Sequence, residues 1–243
     1  MSFSDVVITS VSNYVDEISM SFGSALPVLY RGHRESKWKL CPRLGRLEFR
    51  SDFASNLADA EHRLLDDFDR FGYPHLNAER TLTDWDRIAI AQHHGLPTRL
   101  LDWSTNPLVG LWFAVREPAE SNENGAVWVF AAESSDYVTP SEKPLSVRRT
   151  KVFRPVHADK RIIAQSGEFT VHRLQPNNGG FLALETIALY RKRLRKFEVP
   201  ASLFATIRDD LYRLGITEST MFPDLAGLCR RLMWNASPLR DES

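Results

Sequence analysis

The chain has 243 residues, 43% of them hydrophobic and 11% aromatic, so it can bury a substantial core without disulfide or metal staples. Its 31 basic and 31 acidic residues cancel, which excludes a global charge steering it to nucleic acid or a membrane. Cys41 and Cys229 lack CxxC spacing and read as reduced thiols, no eighteen apolar residues run together, and the first twenty residues lack a signal-peptide pattern. These features predict a soluble cytoplasmic protein with no membrane partner.

Ile8, Val11, Val15 and Ile18 recur at helical spacing and predict an N-terminal helix over about residues 4–20, ahead of a core over about 27–243. "PVLYRG" reads as a short strand. Phe53, Leu57, Ala60, Leu64, Phe68 and Phe71 form the apolar stripe of a second helix. Thr83, with Asp86 three residues on, starts a third, which Gly95 and Pro97 end.

"RLLDW" is a strand, and "STNP" offers caps to a helix carrying Leu108, Leu111, Trp112 and Val115 on one face. "NENG" is a turn before the buried strand "AVWVFAA". Residues 133–155, rich in charge and proline, read as a mobile loop. Phe169 and Val171 alternate in the strand "GEFTVHRL". Leu203, Ile207, Leu211 and Leu214 define a helix stopped by Gly215, and "FPDLAGLCRRLMW" supplies another. Strands and helices mix without a repeating βαβ unit, so the fold class expected is α+β in one domain over residues 1–243.

The chain lacks GxGxxG, GxxxxGK[ST] and GxSxG, and His93 and His94 have no partners at metal-ligand spacing, so no metal is expected. Arg31 ends a strand with a guanidinium suited to phosphate or carboxylate, and Gly32 beside it lets a ligand approach the backbone. The alternative is an ordinary salt-bridged arginine. Ser104, Thr105 and Asn106 look like a helix cap, which is compatible with anion binding at the helix N-terminus. Asp102 fits a clamp with Arg99 or Arg31. In "AQSGEFTVH", Glu168 is either a group that stabilises a cationic transition state or a solvated carboxylate opposite Phe169. The run Arg191, Lys192, Arg193, Leu194, Arg195 and Lys196 is either a solvated face or a patch for the phosphates of a nucleic acid.

Tyr30-Arg31-Gly32, "WKLCPRLGR", "AQHHGLPTRLLDWSTNPLVGLWFA", "RIIAQSGEFTVH" and "GITESTMFPDLAGL" together resemble the FRG domain family, in order along nearly the whole chain. "LYRG" and "STNPLVGLWFA" also resemble the first two elements of ADP-ribosyltransferases of the arginine–serine–glutamate class. That second resemblance implies a split β-sheet core with flanking helices and NAD as a substrate. It implies that Arg31 holds the dinucleotide's phosphate or ribose, Ser104 orients the nicotinamide ribose and Thr105 shapes the turn. Tyr30, Gly32, His94, Arg99 and Asp102 join them as cofactor-binding candidates. The third element departs from Gln-x-Glu: in Gln165-Ser166-Gly167-Glu168 the acid stands one place late, so the catalytic position falls to Gln165 or Glu168. The implied activity is ADP-ribosyl transfer to nucleic acid or protein, by a bacterial toxin or anti-phage effector that has a cognate inhibitor or antitoxin. The alternative is a non-catalytic nucleotide- or partner-binding module on the same fold.

Overall fold

The computed structural model describes residues 6–23, 27–75, 82–120, 122–155, 160–176 and 180–242. Seven strands form one open sheet in the order β1-β7-β4-β2-β3-β6-β5. They are β1 (Val6–Val7), β2 (Val28–His33), β3 (Leu100–Ser104), β4 (Gly125–Ala131), β5 (Lys151–Phe153), β6 (Gly167–Val171) and β7 (Leu194–Val199). β1 runs parallel to β7, and the other neighbours are antiparallel. Helices flank this sheet, which makes the architecture mixed α and β.

Directly opposed residues of paired strands share a face. One face, carrying Tyr30, Val127, Val129 and Phe197, packs on α4 (Pro107–Val115), α7 (Phe204–Arg213) and α1 (Val11–Phe22). Further along that face Leu100, Phe169 and Val171 pack with Ile88 and Ala89 of α3 (Asp84–His93). The opposite face buries Leu29, Leu101, Trp103, Trp128 and Phe130 against Leu40, Leu184 and Tyr190. With both faces covered, the central strand β4 is buried at every position and shows no alternation.

Local rules set the helix starts. Thr83 accepts from Asp86 N while the Asp86 carboxylate accepts from Thr83 N, a reciprocal cap on α3. Asn106 caps α4 by accepting from Leu108 N at 2.9 Å, with Pro107 in the first turn. α2 (Leu57–Gly72) carries Leu57, Ala60, Leu64 and Phe68 of the predicted apolar stripe, whereas Phe53 lies before it and Phe71 is exposed. α5 (Lys160–Ala164), α6 (Ala188–Arg191), α8 (Glu218–Met221) and α9 (Leu225–Ala236) are the remaining α-helices among the described residues.

Three expectations change. The N-terminal helix starts at Val11 because Ser10 caps it, and Ile8 lies before it, buried beside β1. Residues 133–155 are not a loose loop: Asp136, Val147 and Thr150 are buried in it, and it contributes the edge strand β5. The basic run of residues 191–196 contains the start of β7, a strand inside the sheet. The part of the expected first helix that falls on residues 4 and 5 lies outside the described residues.

Candidate functional site

β2 pairs with β4 at six positions and β3 with β6 at five, yet β2 and β3 share one pair, Tyr30 and Ser104. Past that pair the two strands part, and the Arg31 side chain occupies the opening. Its Nη1 donates to the Asp102 carbonyl at 2.7 Å and lies 3.5 Å from Asp102 Oδ2, so the guanidinium bridges strands that no ladder bond joins there. Its Nε donates to His33 Nε2 at 3.1 Å, which requires that nitrogen to be unprotonated. Burial, and then the Arg31 charge, push the His33 pKa well below the ordinary histidine range, so His33 stays a neutral acceptor. Burial also lowers the Arg31 pKa, with Asp102 opposing, and a guanidinium remains charged through such a shift.

Ser104 ends β3 and ties two turns together. Its Oγ donates to the Gln165 carbonyl at 2.7 Å and accepts from Asn106 N at 3.0 Å. Thr105 N donates to the Ser166 carbonyl at 3.0 Å. Ser166 adopts φ 48°, a left-handed conformation uncommon for a residue with a side chain, and these bonds hold it there. The single Ser104 hydroxyl hydrogen is committed, so a ligand at Ser104 would have to donate to it.

Gln165 Nε2 donates to the Met221 carbonyl at 3.1 Å. Only an amide nitrogen suits a carbonyl partner, which fixes the amide's orientation and leaves Oε1 as an acceptor. Arg31, Asp102, Ser104 and Gln165 line a common cleft of about 320 Å³. Tyr30, Phe113 and Phe222 add apolar and aromatic wall, and Arg161 adds a second guanidinium, which pairs with Asp224. Gln92 anchors Asp102 by donating from Nε2 at 3.2 Å. A larger cavity of about 480 Å³ lies beneath α9, between Trp112 and Trp234, and holds none of the residues expected from sequence. The smaller cleft is the better candidate because charged and hydrogen-bonding groups from β2, β3 and the turn before β6 converge on it.

Several expected residues have other work. Gly32 lines the cleft, and a Cβ there would lie 2.2 Å from Gly110 O and 2.5 Å from Ala114 N, so the missing side chain also admits the α4 backbone. His94 is exposed at the end of α3, and its neighbour His93 is the one lining the cleft. Arg99 is buried against Glu61, with Nε donating to Oε1 at 2.9 Å and Nη1 donating to the Leu145 carbonyl at 3.0 Å; it ties α2 and the segment around Leu145 to the start of β3. Asp102 pairs with Arg31, not Arg99. Thr105 is exposed and only pins the turn.

Glu168 is not solvated and is not among the cleft's described lining residues. It stands opposite Trp103, on the face away from Phe169, and is 4% exposed. There Arg154 Nε donates to it at 2.7 Å and Tyr137 OH at 3.2 Å. Burial and then the Glu168 charge push the Tyr137 pKa up to about 12, so the phenol remains a donor. The basic run disperses. Arg193 is held by Asp136 and lies over the Phe130 and Tyr190 rings, Lys196 lies over Trp128, and alternation along β7 sends Arg195 to the other face from Lys196.

Sequence reasoning missed Gln92, Arg161, Met221 and Phe222 as parts of this cleft. All four lie inside the family-like motifs that begin at Ala91, Arg161 and Gly215, and that was the available signal.

The FRG domain model matches residues 27–123. Over that span the chain is similar to the FRG domain. That span contains β2, β3, α4 and the opening filled by Arg31; Gln165, Arg161 and Phe222 reach the cleft from beyond it. No curated protein and no solved structure matches the chain. Among the described residues, no helix is long and apolar enough to cross a membrane.

Proposed function

We propose that the cleft takes NAD as a substrate and that the chain is an NAD-dependent ADP-ribosyltransferase acting on a macromolecular acceptor. The observation that carries this reading is the seating of the Arg31 guanidinium where β2 and β3 part, next to the Ser104–Gln165 turn. The parting also supports reading the sheet as the split core of that enzyme class.

In the proposed reaction the bond between nicotinamide and ribose breaks, and its electron pair leaves with the neutral nicotinamide. Positive charge develops on the ribose, an acceptor nucleophile bonds to that carbon, and the nucleophile loses a proton. Arg31 supplies a fixed cation for the diphosphate, which does not titrate at working pH. Gln165 Oε1, aimed by the Met221 carbonyl, accepts from a ribose hydroxyl but cannot remove a proton. The cleft's carboxylate is Asp102, 57% exposed, which supplies negative charge near the developing cation.

The second reading, a module that binds a nucleotide without turning it over, is favoured by one observation. Glu168 is not among the cleft's described lining residues: it points away from Ser104, bound to Arg154 and Tyr137. Titration calorimetry with NAD and a nicotinamide-release assay, run with candidate acceptors, separate the two. Binding with release supports the enzyme, and binding without release supports the module. Arg31→Ala should weaken NAD at least tenfold, on the scale of about 1.5–3 kcal/mol for a charged hydrogen bond. Arg31→Lys, which keeps the charge and loses the fork, should fall between. Wild-type protein that does not bind NAD refutes the transferase reading and restricts the module to other nucleotides.

A further inference from the structure

At the end of β3 and β6 remote from Ser104 lies a second, shallower cleft of about 390 Å³, lined by Arg99, Ser146, Arg148 and Arg173 among others. Arg99 precedes β3 and Arg173 follows β6; because these strands are antiparallel, the two residues meet at one end of the pair. No carboxylate is among its described lining residues. The Arg99 charge at its floor is balanced by Glu61. Arg148 and Arg173 are exposed, and among the described residues neither guanidinium takes part in an ion pair or hydrogen bond. The cleft therefore carries two uncompensated positive charges, whereas Arg31, Arg87, Arg154, Arg161, Arg193 and Arg208 are each given a carboxylate.

The backbone beneath both arginines is fixed. Val147 and Thr150 are buried on either side of Arg148 and Arg149, and Arg149 Nη1 donates to Asp136 at 3.0 Å. Arg173 follows His172, which is fully buried and whose N donates to the Arg99 carbonyl at 3.0 Å. Leu174, next in the chain, bridges to Phe181. Two guanidinium groups on anchored backbone line one cleft with no carboxylate among its described lining residues, and a phosphate group can accept from two guanidinium forks at once.

We propose that Arg148 and Arg173 form a binding site for a phosphate group, distinct from the Arg31 cleft and independent of the ADP-ribosyltransferase reading. The phosphate comes either from a small anion or from the backbone of a nucleic acid, and two probes distinguish the sources. Inorganic pyrophosphate is titrated by calorimetry, and a labelled single-stranded RNA oligonucleotide by fluorescence anisotropy over a range of salt. At least one probe should bind wild-type protein. Arg148→Ala/Arg173→Ala should weaken that binding tenfold or more and leave the melting temperature unchanged, since both side chains are exposed. If RNA is the ligand, the double variant should also lose about 1.4 from the slope of log K against log salt, at about 0.7 per phosphate contact. Arg191→Ala/Lys192→Ala removes the same charge from the start of the basic run, outside this cleft, and should leave binding intact. The site is overturned if wild-type protein binds neither probe, if the Arg148/Arg173 variant binds as wild type does, or if both double variants weaken binding equally.

Discussion

Gly32→Ala separates a glycine kept for a ligand from one kept for packing. The added methyl would stand 2.2 Å from Gly110 O, 2.5 Å from Ala114 N and 2.8 Å from Phe113 C, all backbone atoms of α4. Ordinary contact begins near 3.4 Å, so the helix must retreat by about 1 Å, and no side-chain rotation relieves the clash. Overpacking commonly costs about 1–3 kcal/mol, and a clash with helix backbone belongs at or above the upper end. Gly110→Ala gives an internal control on sign. In an exposed helix interior alanine is better than glycine by about 0.8–1.0 kcal/mol, but here its Cβ would meet Tyr30 Cβ at 2.7 Å. Both variants should therefore lose about 3 kcal/mol in urea unfolding at pH 7.5. For a chain of this size that lowers the melting temperature by roughly 6–12 °C. If Gly32→Ala keeps full stability and loses NAD affinity, the glycine serves the ligand and the packing argument is wrong. If Gly110→Ala is stabilising, helix propensity outweighs the contact and α4 approaches β2 less closely than these distances imply.

Glu61→Ala strands the buried Arg99 charge and should cost about 3–5 kcal/mol, with NAD binding by the folded fraction unchanged; a variant that melts like wild type but binds NAD poorly would return Arg99 to the site. His172 has its pKa lowered to about 3 by burial, against about 6.5 in the unfolded chain. Below about pH 6.5 the unfolded chain takes up a proton that the folded chain refuses, so stability falls as pH drops from about 6.5 towards 3. The contribution is about 1.4 kcal/mol per pH unit, or about 2 kcal/mol lost by pH 5. In His172→Gln the difference in unfolding free energy between pH 7.5 and pH 5 should shrink by that amount, and an unchanged difference would show that this histidine does not carry the acid sensitivity.

Short-range chemistry was the legible part of this fold. Thr83 with Asp86, and Asn106 with Pro107, mark helix starts because caps and first turns are satisfied by residues two or three positions away. The "LYRG" and "RLLDW" strands are bounded by the same kind of local signal. β7 was hidden because its charges look like a surface. Arg193, just before it, is held by Asp136 between the Phe130 and Tyr190 rings, so a guanidinium there belongs to the interior. In "LRKFEV" Leu194 is buried on one face and Phe197 and Val199 on the other, with Arg195 exposed, so the two-residue period of a half-buried strand is lost. β5 escaped notice as a three-residue edge strand inside a segment of charges and prolines.

The same distinction decides the site. Ser104 ends β3 as the sequence announces, whereas Arg31 lies inside β2, two residues before its end, and the pair Tyr30–Ser104 sets the two side by side. Which of Gln165 and Glu168 reaches the cleft is settled by something a linear pattern does not contain. The left-handed Ser166 ends the approach to β6 one residue before Gly167, and pairing with β3 then assigns Glu168 to the face of Trp103. A partner 56 residues further on, the Met221 carbonyl, turns the Gln165 amide so that its nitrogen is consumed and its oxygen remains. Gln165→Glu is therefore a harmful change and not a repair. It would set a carboxylate against a carbonyl and remove the donor that orients the group, so nicotinamide release should fall, with Gln165→Ala no worse. Release that rises in Gln165→Glu would mean that the cleft lacked only a negative charge at this position, and that the Met221 contact does not govern it.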